Sequence, residues 1–249
     1  MRIIVNGAGG RMGTVLRTVM DTGCRNAKLI GAVDRNAKGK GMVRSLGGVT
    51  EEADCIIDFS NHTGTCDLLS YALEHRLPVV IAVTGHTGEE FAAIEAAAQK
   101  IPVFCSGNLS LGIALLLQTV RKAVAMFPDA DVEIVESHHN QKLDVPSGTA
   151  LMLAHAVQDA RPEAKLLVGR QKDGKRSKQE IGIHSLRLGN TVGTHEVLIS
   201  TDTQVISLKQ EALDRTLFAE GALAAADFLI KQPPGLYGMD DLMEEVVML

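Results

Sequence analysis

The densest run of reactive side chains lies between Glu133 and Ala150. A strand-like segment there ends in two adjacent histidines, His138 and His139, and Lys142 follows four residues after the first of them. Histidine can give or take a proton near neutral pH, and lysine supplies a fixed positive charge for a carboxylate or an imine nitrogen. The spacing therefore predicts a site that binds an anionic substrate and moves a proton.

The segment Pro146-Ser147-Gly148-Thr149 then opens a helix. The free N–H groups of a helix start, together with a hydroxyl, can bind a carboxylate. Two alternatives stay open: Ser147 or Thr149 only caps the helix, and one of the adjacent histidines faces away from the site. No cysteine or third histidine stands at ligand spacing, so the sequence predicts no metal.

A second motif stands at the start of the chain, where Gly7, Gly10 and Gly13, with Gly9 as an extra glycine, join a β-branched run to an amphipathic helix. A tight turn here needs backbone angles that side chains forbid. Bare backbone also lets a pyrophosphate approach the N–H groups of the helix start. The pattern favours dinucleotide binding over a merely structural turn.

Asp34 ends the second strand-like run, 21 positions after Gly13, where a carboxylate would accept hydrogen bonds from the adenine ribose. The next residue, Arg35, can pair with a 2′-phosphate. The sequence therefore leaves NADH or NADPH open. The alternative to cofactor binding is that Arg35 and the nearby lysines form a solvated loop. For Lys38 and Lys40 this is the favoured interpretation.

Strand-like and helix-like segments alternate over the first hundred residues, which predicts a parallel, doubly wound α/β sheet. The strands are predicted at 2–6, 28–33, 55–59, 78–84 and 102–106, the helices at 12–20, 63–75 and 89–100, and a loop at 35–48.

The pattern changes after about residue 108. We predict a second, α+β domain with three consecutive antiparallel strands and a tail that packs back on the first domain from Gly235. Its helices are predicted at 111–127, 149–159 and 211–230, and its strands at 132–137, 181–188, 194–200 and 203–209. The predicted domains are therefore 1–108 plus 217–249 for the dinucleotide and 109–216 for the substrate.

Composition narrows the classes of protein further. The 249 residues are 45% hydrophobic and 22% charged, with a formal charge of −5 and no Trp. This excludes a disordered, collagen-like or coiled-coil chain and argues against nucleic-acid binding. The basic stretch from Arg170 to Lys178 is the one RNA-like feature, and without interleaved aromatics we interpret it as a solvated loop.

The four cysteines form no C-x-x-C pair, and no apolar run approaches the ~20 residues that span a bilayer. We therefore predict reduced thiols, no membrane contact and a cytoplasmic protein.

Five motifs carry a family resemblance. The run E-x-x-E-x-H-H-x-x-K-x-D-x-P-S-G-T-A at 133–150 resembles the signature of the 4-hydroxy-tetrahydrodipicolinate reductase (dihydrodipicolinate reductase) family. The same family is matched by Gly7–Gly13, Asp58-Phe59-Ser60, Asn108-Leu109-Ser110-Leu111-Gly112 and Arg187-x-Gly189-x-x-Val192-Gly193-x-His195.

The resemblance implies an N-terminal Rossmann-type domain completed by the C-terminal tail, and a central domain that binds substrate and assembles a homotetramer. It implies an enzyme of diaminopimelate and lysine biosynthesis. NADH or NADPH gives a hydride to C4 of a cyclic dicarboxylate, the hydroxyl leaves as water, and tetrahydrodipicolinate forms.

By position, the resemblance makes His138 the proton donor or acceptor and Lys142 the second catalytic group, with His139, Gly148 and Thr149 binding substrate. With Arg35 added, the predicted cofactor residues are Gly7, Ala8, Gly9, Gly10, Arg11, Met12, Asp34, Arg35, Ala82, Val83, Thr84, Ser106, Gly107, Asn108 and Leu109. One departure concerns the loop that reads G-T-T-G in the family, which is Ala82-Val83-Thr84-Gly85 here.

Two other interpretations share the glycine turn and Asp34. Another Rossmann-type amino-acid dehydrogenase should lack the histidine run. A nucleotide-sensing protein would bind NAD(P)H and consume none when given substrate.

Overall fold

A computed structural model describes residues 1–37 and 41–247 of the chain. The part of the predicted 35–48 loop that holds Lys38 and Lys40 therefore lies outside the described residues. The chain divides into two units, Met1–Leu111 with Arg215–Leu249, and Gly112–Asp214. These boundaries lie a few residues from the predicted ones at 108/109 and 216/217.

The elements follow in chain order. They are β1 (Arg2–Asn6), α1 (Arg11–Asp21), β2 (Lys28–Val33), β3 (Met42–Val43), β4 (Cys55–Asp58), α2 (Thr65–His75), β5 (Val79–Ile81), α3 (Gly88–Ala98), β6 (Pro102–Cys105), α4 (Leu111–Met126), β7 (Asp131–His138), α5 (Gly148–Ala160), β8 (Lys165–Val168), β9 (Glu180–Arg187), β10 (Gly193–Ser200), β11 (Val205–Ala212), α6 (Thr216–Leu229), β12 (Gly235–Tyr237) and α7 (Met239–Val247).

The first unit contains the predicted parallel sheet, with seven strands in the order β12-β6-β5-β4-β1-β2-β3. Its central strands carry apolar runs because helices cover both faces, and Ile3, Ile4 and Val5 are at most 1% exposed. The strand order reverses between β1 and β4, which is where ligands bind in open α/β sheets. The predicted doubly wound fold is confirmed. The short strand β3 lies in the region predicted as loop.

The C-terminal tail completes this sheet, since β12 pairs in parallel with β6. The helix predicted at 211–230 begins only at Thr216, because Glu211 and Ala212 pair with β10 as the end of β11. Gly221 of α6 packs so closely that an added Cβ would lie 1.7 Å from the Leu109 carbonyl oxygen.

The second unit contains a five-stranded mixed sheet in the order β11-β10-β7-β9-β8. The predicted antiparallel pairing of β10 with β11 is present, but the predicted pairing of β9 with β10 is wrong. Strand β7 lies between them, antiparallel to β10 and parallel to β9. The physical reason is burial: Val132 and Ile134 of β7 are fully buried, and a central position covers them from both sides. Edge strand β8 was not predicted.

Two negative findings hold for the described part of the chain. No helix combines the length and hydropathy of a membrane span. No group of histidine, cysteine and carboxylate side chains is placed to hold a metal ion.

The close contact at Gly221 gives a stability test. Gly221→Ala is expected to lower the melting temperature by roughly 2–12 °C, since overpacking costs about 1–3 kcal/mol. Gly88→Ala is the matched control, because an added Cβ at the start of α3 would meet no atom within 4 Å. Thermal unfolding measures both variants, and equal melting temperatures would contradict the packing described for α6.

Candidate active site

The polar centre of the second unit lies at the carboxyl end of β7. Alternation along the strand puts Glu136 and His138 on the same face as the buried Val132 and Ile134. Glu136 is 1% exposed and His138 is 9% exposed. The apolar stripe of the core thus ends in a carboxylate and an imidazole.

Glu136 is hydrogen-bonded on both carboxylate oxygens. Its Oε2 lies 2.6 Å from His138 Nδ1 and accepts from Arg187 Nη1 at 2.9 Å, while Oε1 accepts from Arg187 Nη2 at 2.9 Å and from the Ser147 backbone N–H at 3.3 Å. Arg187 reaches it because β9 pairs in parallel with β7 and places Arg187 opposite His138. The carboxylate therefore joins two strands and the start of α5.

Burial and hydrogen bonding shift the pKa values of this cluster in opposite directions. Burial raises the pKa of Glu136, but the hydrogen bonds from Arg187 and His138 outweigh it and bring the pKa to about 2. Burial lowers the pKa of His138, which the nearby Glu136 carboxylate partly offsets and the charges of Lys142 and Arg187 reinforce. An ionised Glu136 thus lies against a His138 that is neutral at neutral pH.

His195 of β10 packs edge-on against His138, with 5.2 Å between ring centroids. Its Nε2 lies 3.2 Å from Ser147 Oγ, and burial lowers its pKa to about 4. In the sequence, His195 and Arg187 stand out only as members of one family motif, and Glu136 is not among the predicted site residues. The sequence feature that could have identified Glu136 is its position two residues before His138 on a strand, which puts both side chains on one face.

The other predicted catalytic and substrate residues lie on the segment between β7 and α5 and in the first turn of α5. Lys142 Nζ is 2.8 Å from Asp144 Oδ1, and half-buried His139 follows the last residue of β7. Ser147 caps α5 by accepting from the Ala150 N–H at 3.2 Å, and the same hydroxyl contacts His195.

The first turn of α5 holds the last two of these residues. Gly148 and Thr149 are its first and second residues, an added Cβ at Gly148 would meet nothing within 4 Å, and no acidic residue stands in that turn. The start of α5 is therefore an open, positively polarised end.

The glycine turn of the first unit has the conformation that the motif predicts. Gly7 has φ +78°, and an added Cβ would lie 2.7 Å from the backbone of Phe59. At Gly13 an added Cβ would lie 2.2 Å from the Gly7 carbonyl oxygen. Helix α1 starts at Arg11 without a side-chain cap. These residues fit a dinucleotide, since the turn keeps bare backbone beside a helix N-terminus.

Asp34 lies against this turn. Its Oδ2 accepts from the Gly9 N–H at 3.0 Å and its Oδ1 accepts from the Asn36 N–H at 2.8 Å. A cavity of about 550 Å³ opens beside it, lined by Gly7, Gly10, Asp34 and Arg35 among the predicted residues. Sequence reasoning missed further lining residues, including Arg44, Ser45, Asn61 and Tyr71.

The remaining predicted cofactor residues lie outside the lining of this cavity. Residues 82–84 follow β5 and residues 106–109 follow β6, so both loops leave the carboxyl ends of parallel strands, at the same edge as the glycine turn. Ala8 and Leu109 are buried, and the Ala8 N–H donates to the Val33 carbonyl oxygen at 2.9 Å. Arg11 is exposed and Met12 half-buried at the start of α1.

Two family models match the chain. One, described as dihydrodipicolinate reductase, N-terminus, matches residues 1–109, and the other, described as dihydrodipicolinate reductase, C-terminus, matches residues 112–243. The chain belongs to the dihydrodipicolinate reductase family. The predicted family is therefore confirmed across nearly the whole length.

Relatives of the dihydrodipicolinate reductase family support the same assignment. The chain is 42% identical to the 4-hydroxy-tetrahydrodipicolinate reductase of Caldanaerobacter subterraneus subsp. tengcongensis, covering 98% of this chain and 99% of the relative. It is 36% identical to that of Clostridium perfringens, covering 98% of each. The predicted oxidoreductase activity is confirmed, and the cofactor is a nicotinamide nucleotide.

A solved structure is similar over the whole fold. It is the dipicolinate-bound dihydrodipicolinate reductase from Paenisporosarcina sp. TG-14, which is 26% identical with a TM-score of 0.82 and covers 97% of this chain and 98% of its own.

The cavity beside Asp34 gives a cofactor test. Arg35 is exposed, and its Nη2 lies 3.3 Å from Asp67 Oδ2. A 2′-phosphate would replace Asp67 as the partner of this guanidinium. Arg35→Ala should therefore raise the Kd for NADPH about 10-fold or more and leave the Kd for NADH nearly unchanged. Fluorescence titration with each nucleotide measures this. Arg2→Ala, an exposed arginine paired with Glu52 outside the cavity, is the control. Equal losses for both nucleotides, or none, would place Arg35 outside the cofactor site.

Proposed function

We propose that the chain reduces 4-hydroxy-tetrahydrodipicolinate to tetrahydrodipicolinate with NADH or NADPH, in diaminopimelate and lysine biosynthesis. One hydride and one proton are consumed and the C4 hydroxyl leaves as water, so the reaction balances. The observation that carries the proposal is the segment from His138 to Thr149, which combines a titratable imidazole with a lysine and a helix start that can bind carboxylates.

The residues around Asp34 are suited to hold the nicotinamide nucleotide, which supplies the hydride when bound. The N–H groups at the start of α1 would face its pyrophosphate. Asp34 keeps an acceptor lone pair on each oxygen beyond its two backbone partners, so it can accept from ribose hydroxyls.

The substrate carries two carboxylates, and the second unit offers donors for them. Lys142 is in a partly exposed pair with Asp144, the two side chains being 21% and 57% exposed. Such pairs contribute only about 0–1 kcal/mol, so Lys142 can exchange this partner for a substrate carboxylate. His139 and the first turn of α5, with Gly148 and Thr149, would bind the other carboxylate.

His138 is proposed as the group that moves a proton at the substrate. Its neutral state at rest lets the imidazole accept a proton, and negative charge from two bound carboxylates would raise its pKa and favour the protonated donor.

A homotetramer and a cytoplasmic location complete the proposal. The outward face of the second unit's sheet leaves apolar side chains uncovered, with Leu186 50% and Val205 62% exposed. Further copies of the chain would cover such a face.

The direct experiment follows NAD(P)H absorbance with substrate made in situ by the preceding synthase. Loss of absorbance that requires both the synthase and this chain supports the proposal. Cofactor binding without consumption would favour the nucleotide-sensing alternative, and consumption only with other amino-acid substrates would favour a different dehydrogenase.

His138 has its own test. His138→Gln removes the titrating group and keeps a similar volume, so kcat should fall by about 10²- to 10⁴-fold, as for loss of a general acid or base, with the cofactor Kd unchanged. The pH profile of kcat/KM should also lose one limb, which in the wild type lies below the ordinary histidine pKa because burial lowers it. An unchanged kcat would move the role to His139 or Lys142.

Two variants distinguish the role of Lys142 from that of Thr149. Lys142→Ala removes a charge that also stabilises negative charge building up near the imine, so it should lower kcat and raise KM. Thr149→Val keeps the shape and should mainly raise KM. A charge-assisted hydrogen bond of about 1.5–3 kcal/mol corresponds to about 10- to 150-fold in each case.

Melting temperatures provide the control for both variants. A structural role alone predicts a lower melting temperature for Thr149→Val with wild-type kinetics, and no effect for Lys142→Ala. Wild-type kcat and KM in Lys142→Ala would contradict the catalytic role of this segment.

A further inference from the structure

Glu136 is placed to control which nitrogen of His138 carries a proton. The two residues are two positions apart on one face of β7, and Glu136 Oε2 lies 2.6 Å from His138 Nδ1. An ionised carboxylate can only accept hydrogen bonds, so Nδ1 must be the donor. Nε2 is then the nitrogen that is left to exchange a proton.

The ionised state of Glu136 is fixed by its surroundings. Arg187 donates to both oxygens at 2.9 Å, and the Ser147 backbone N–H adds a further bond. A bidentate guanidinium paired with a fully buried carboxylate stabilises the charged form strongly, because the pair is shielded from water.

The geometry at the other edge of the ring supports the same assignment. An added Cβ at Gly193 would lie 3.1 Å from His138 Nε2, so a side chain at this position would crowd the nitrogen that the glycine leaves room beside. His195 contributes its ring edge-on, and its Nε2 contacts Ser147 Oγ at 3.2 Å and not the imidazole nitrogens of His138.

We propose that Glu136, held ionised by Arg187, is the positioning residue that fixes His138 in the Nδ1–H tautomer and aims Nε2 at the substrate. Glu136 also holds the Ser147 N–H at the start of α5, so one carboxylate sets the position of the proton-transfer group and of the helix end that would bind a substrate carboxylate. The part of this inference that concerns proton transfer to the substrate rests on the proposed function. The assignment of the tautomer does not.

The first test is the tautomer in the full-length wild-type protein. Labelling the histidines with ¹⁵N and recording two-bond couplings at neutral pH shows which nitrogen is protonated, and His138→Gln assigns the signal by its loss. We expect the proton on Nδ1. A proton on Nε2 would overturn the proposal, and no variant of Glu136 has to fold for this measurement.

The second test is kinetic. Glu136→Gln keeps the size and removes the charge, so kcat should fall about 10- to 100-fold, as for other groups that orient a functional histidine, with little change in cofactor KM. Four groups face His138: Glu136 on its own strand, Arg187 from β9, His195 from β10 and Lys142 from the following segment. Glu136 is the one anion among them, so its removal should shift the His138 limb of the pH profile to lower pH.

Two further variants separate positioning from stability. Glu136→Asp keeps the charge and should recover part of kcat and of the pH profile. Glu133→Gln is the matched control, because Glu133 lies on the opposite face of β7, paired with Arg176 and 2.8 Å from His184 Nε2. It should lower the melting temperature and leave kcat unchanged. A Glu136→Gln variant that loses only melting temperature, with wild-type kcat and pH profile, would overturn the proposal.

The experiments distinguish an error in the proposed function from an error in the proposed role of Glu136. If the wild-type protein consumes no NAD(P)H but shows the Nδ1 proton on His138, the proposed function is wrong and the positioning role stands. If it consumes NAD(P)H and shows the proton on Nε2, the positioning role is wrong and the function stands.

Discussion

The buried carboxylate of Glu136 forms hydrogen bonds with His138, with both terminal nitrogens of Arg187 and with the Ser147 backbone N–H. Leaving one member of such a pair alone in the interior costs about 3–5 kcal/mol, so its geometry tolerates little change. The contacts join β7, β9 and the start of α5. The local contacts among these three elements at the site and the tautomer of the imidazole therefore depend on one ion pair.

Charge pairing also supports the proposal that this site binds a dicarboxylate. Glu136 beside His138 is paired with Arg187 in the interior, and Asp144 of the following segment is paired with Lys142 nearer the surface. The interior pair is permanent because water cannot compete for it, whereas the surface pair is weak and exchangeable. The helix end at Gly148 adds positive polarity without an acidic residue in its first turn.

The sequence predicted those features whose cause is local. The glycine turn was predictable because Gly7 and Gly13 stand where a Cβ would collide with backbone, and β1 and α1 because their periodicity is strong. The insertion of β7 between β9 and β10 was not, since strand order in a mixed sheet depends on which faces must be covered. Arg187 lies 51 positions from Glu136, and only strand register brings them together. Arg44 was missed because its segment has no periodic pattern that would place it in a cavity wall.

The ionisation of Glu136 is the measurement that tests this account most directly. Labelling glutamate side chains with ¹³C and following the carboxyl shift of Glu136 during an acid titration gives its pKa in the folded protein. The account predicts a pKa of about 2, so the signal should stay that of a carboxylate through the acid range in which ordinary glutamates become protonated. A midpoint at or above the usual glutamate value of 4.5 would show that burial outweighs Arg187, and the account of the site would be wrong.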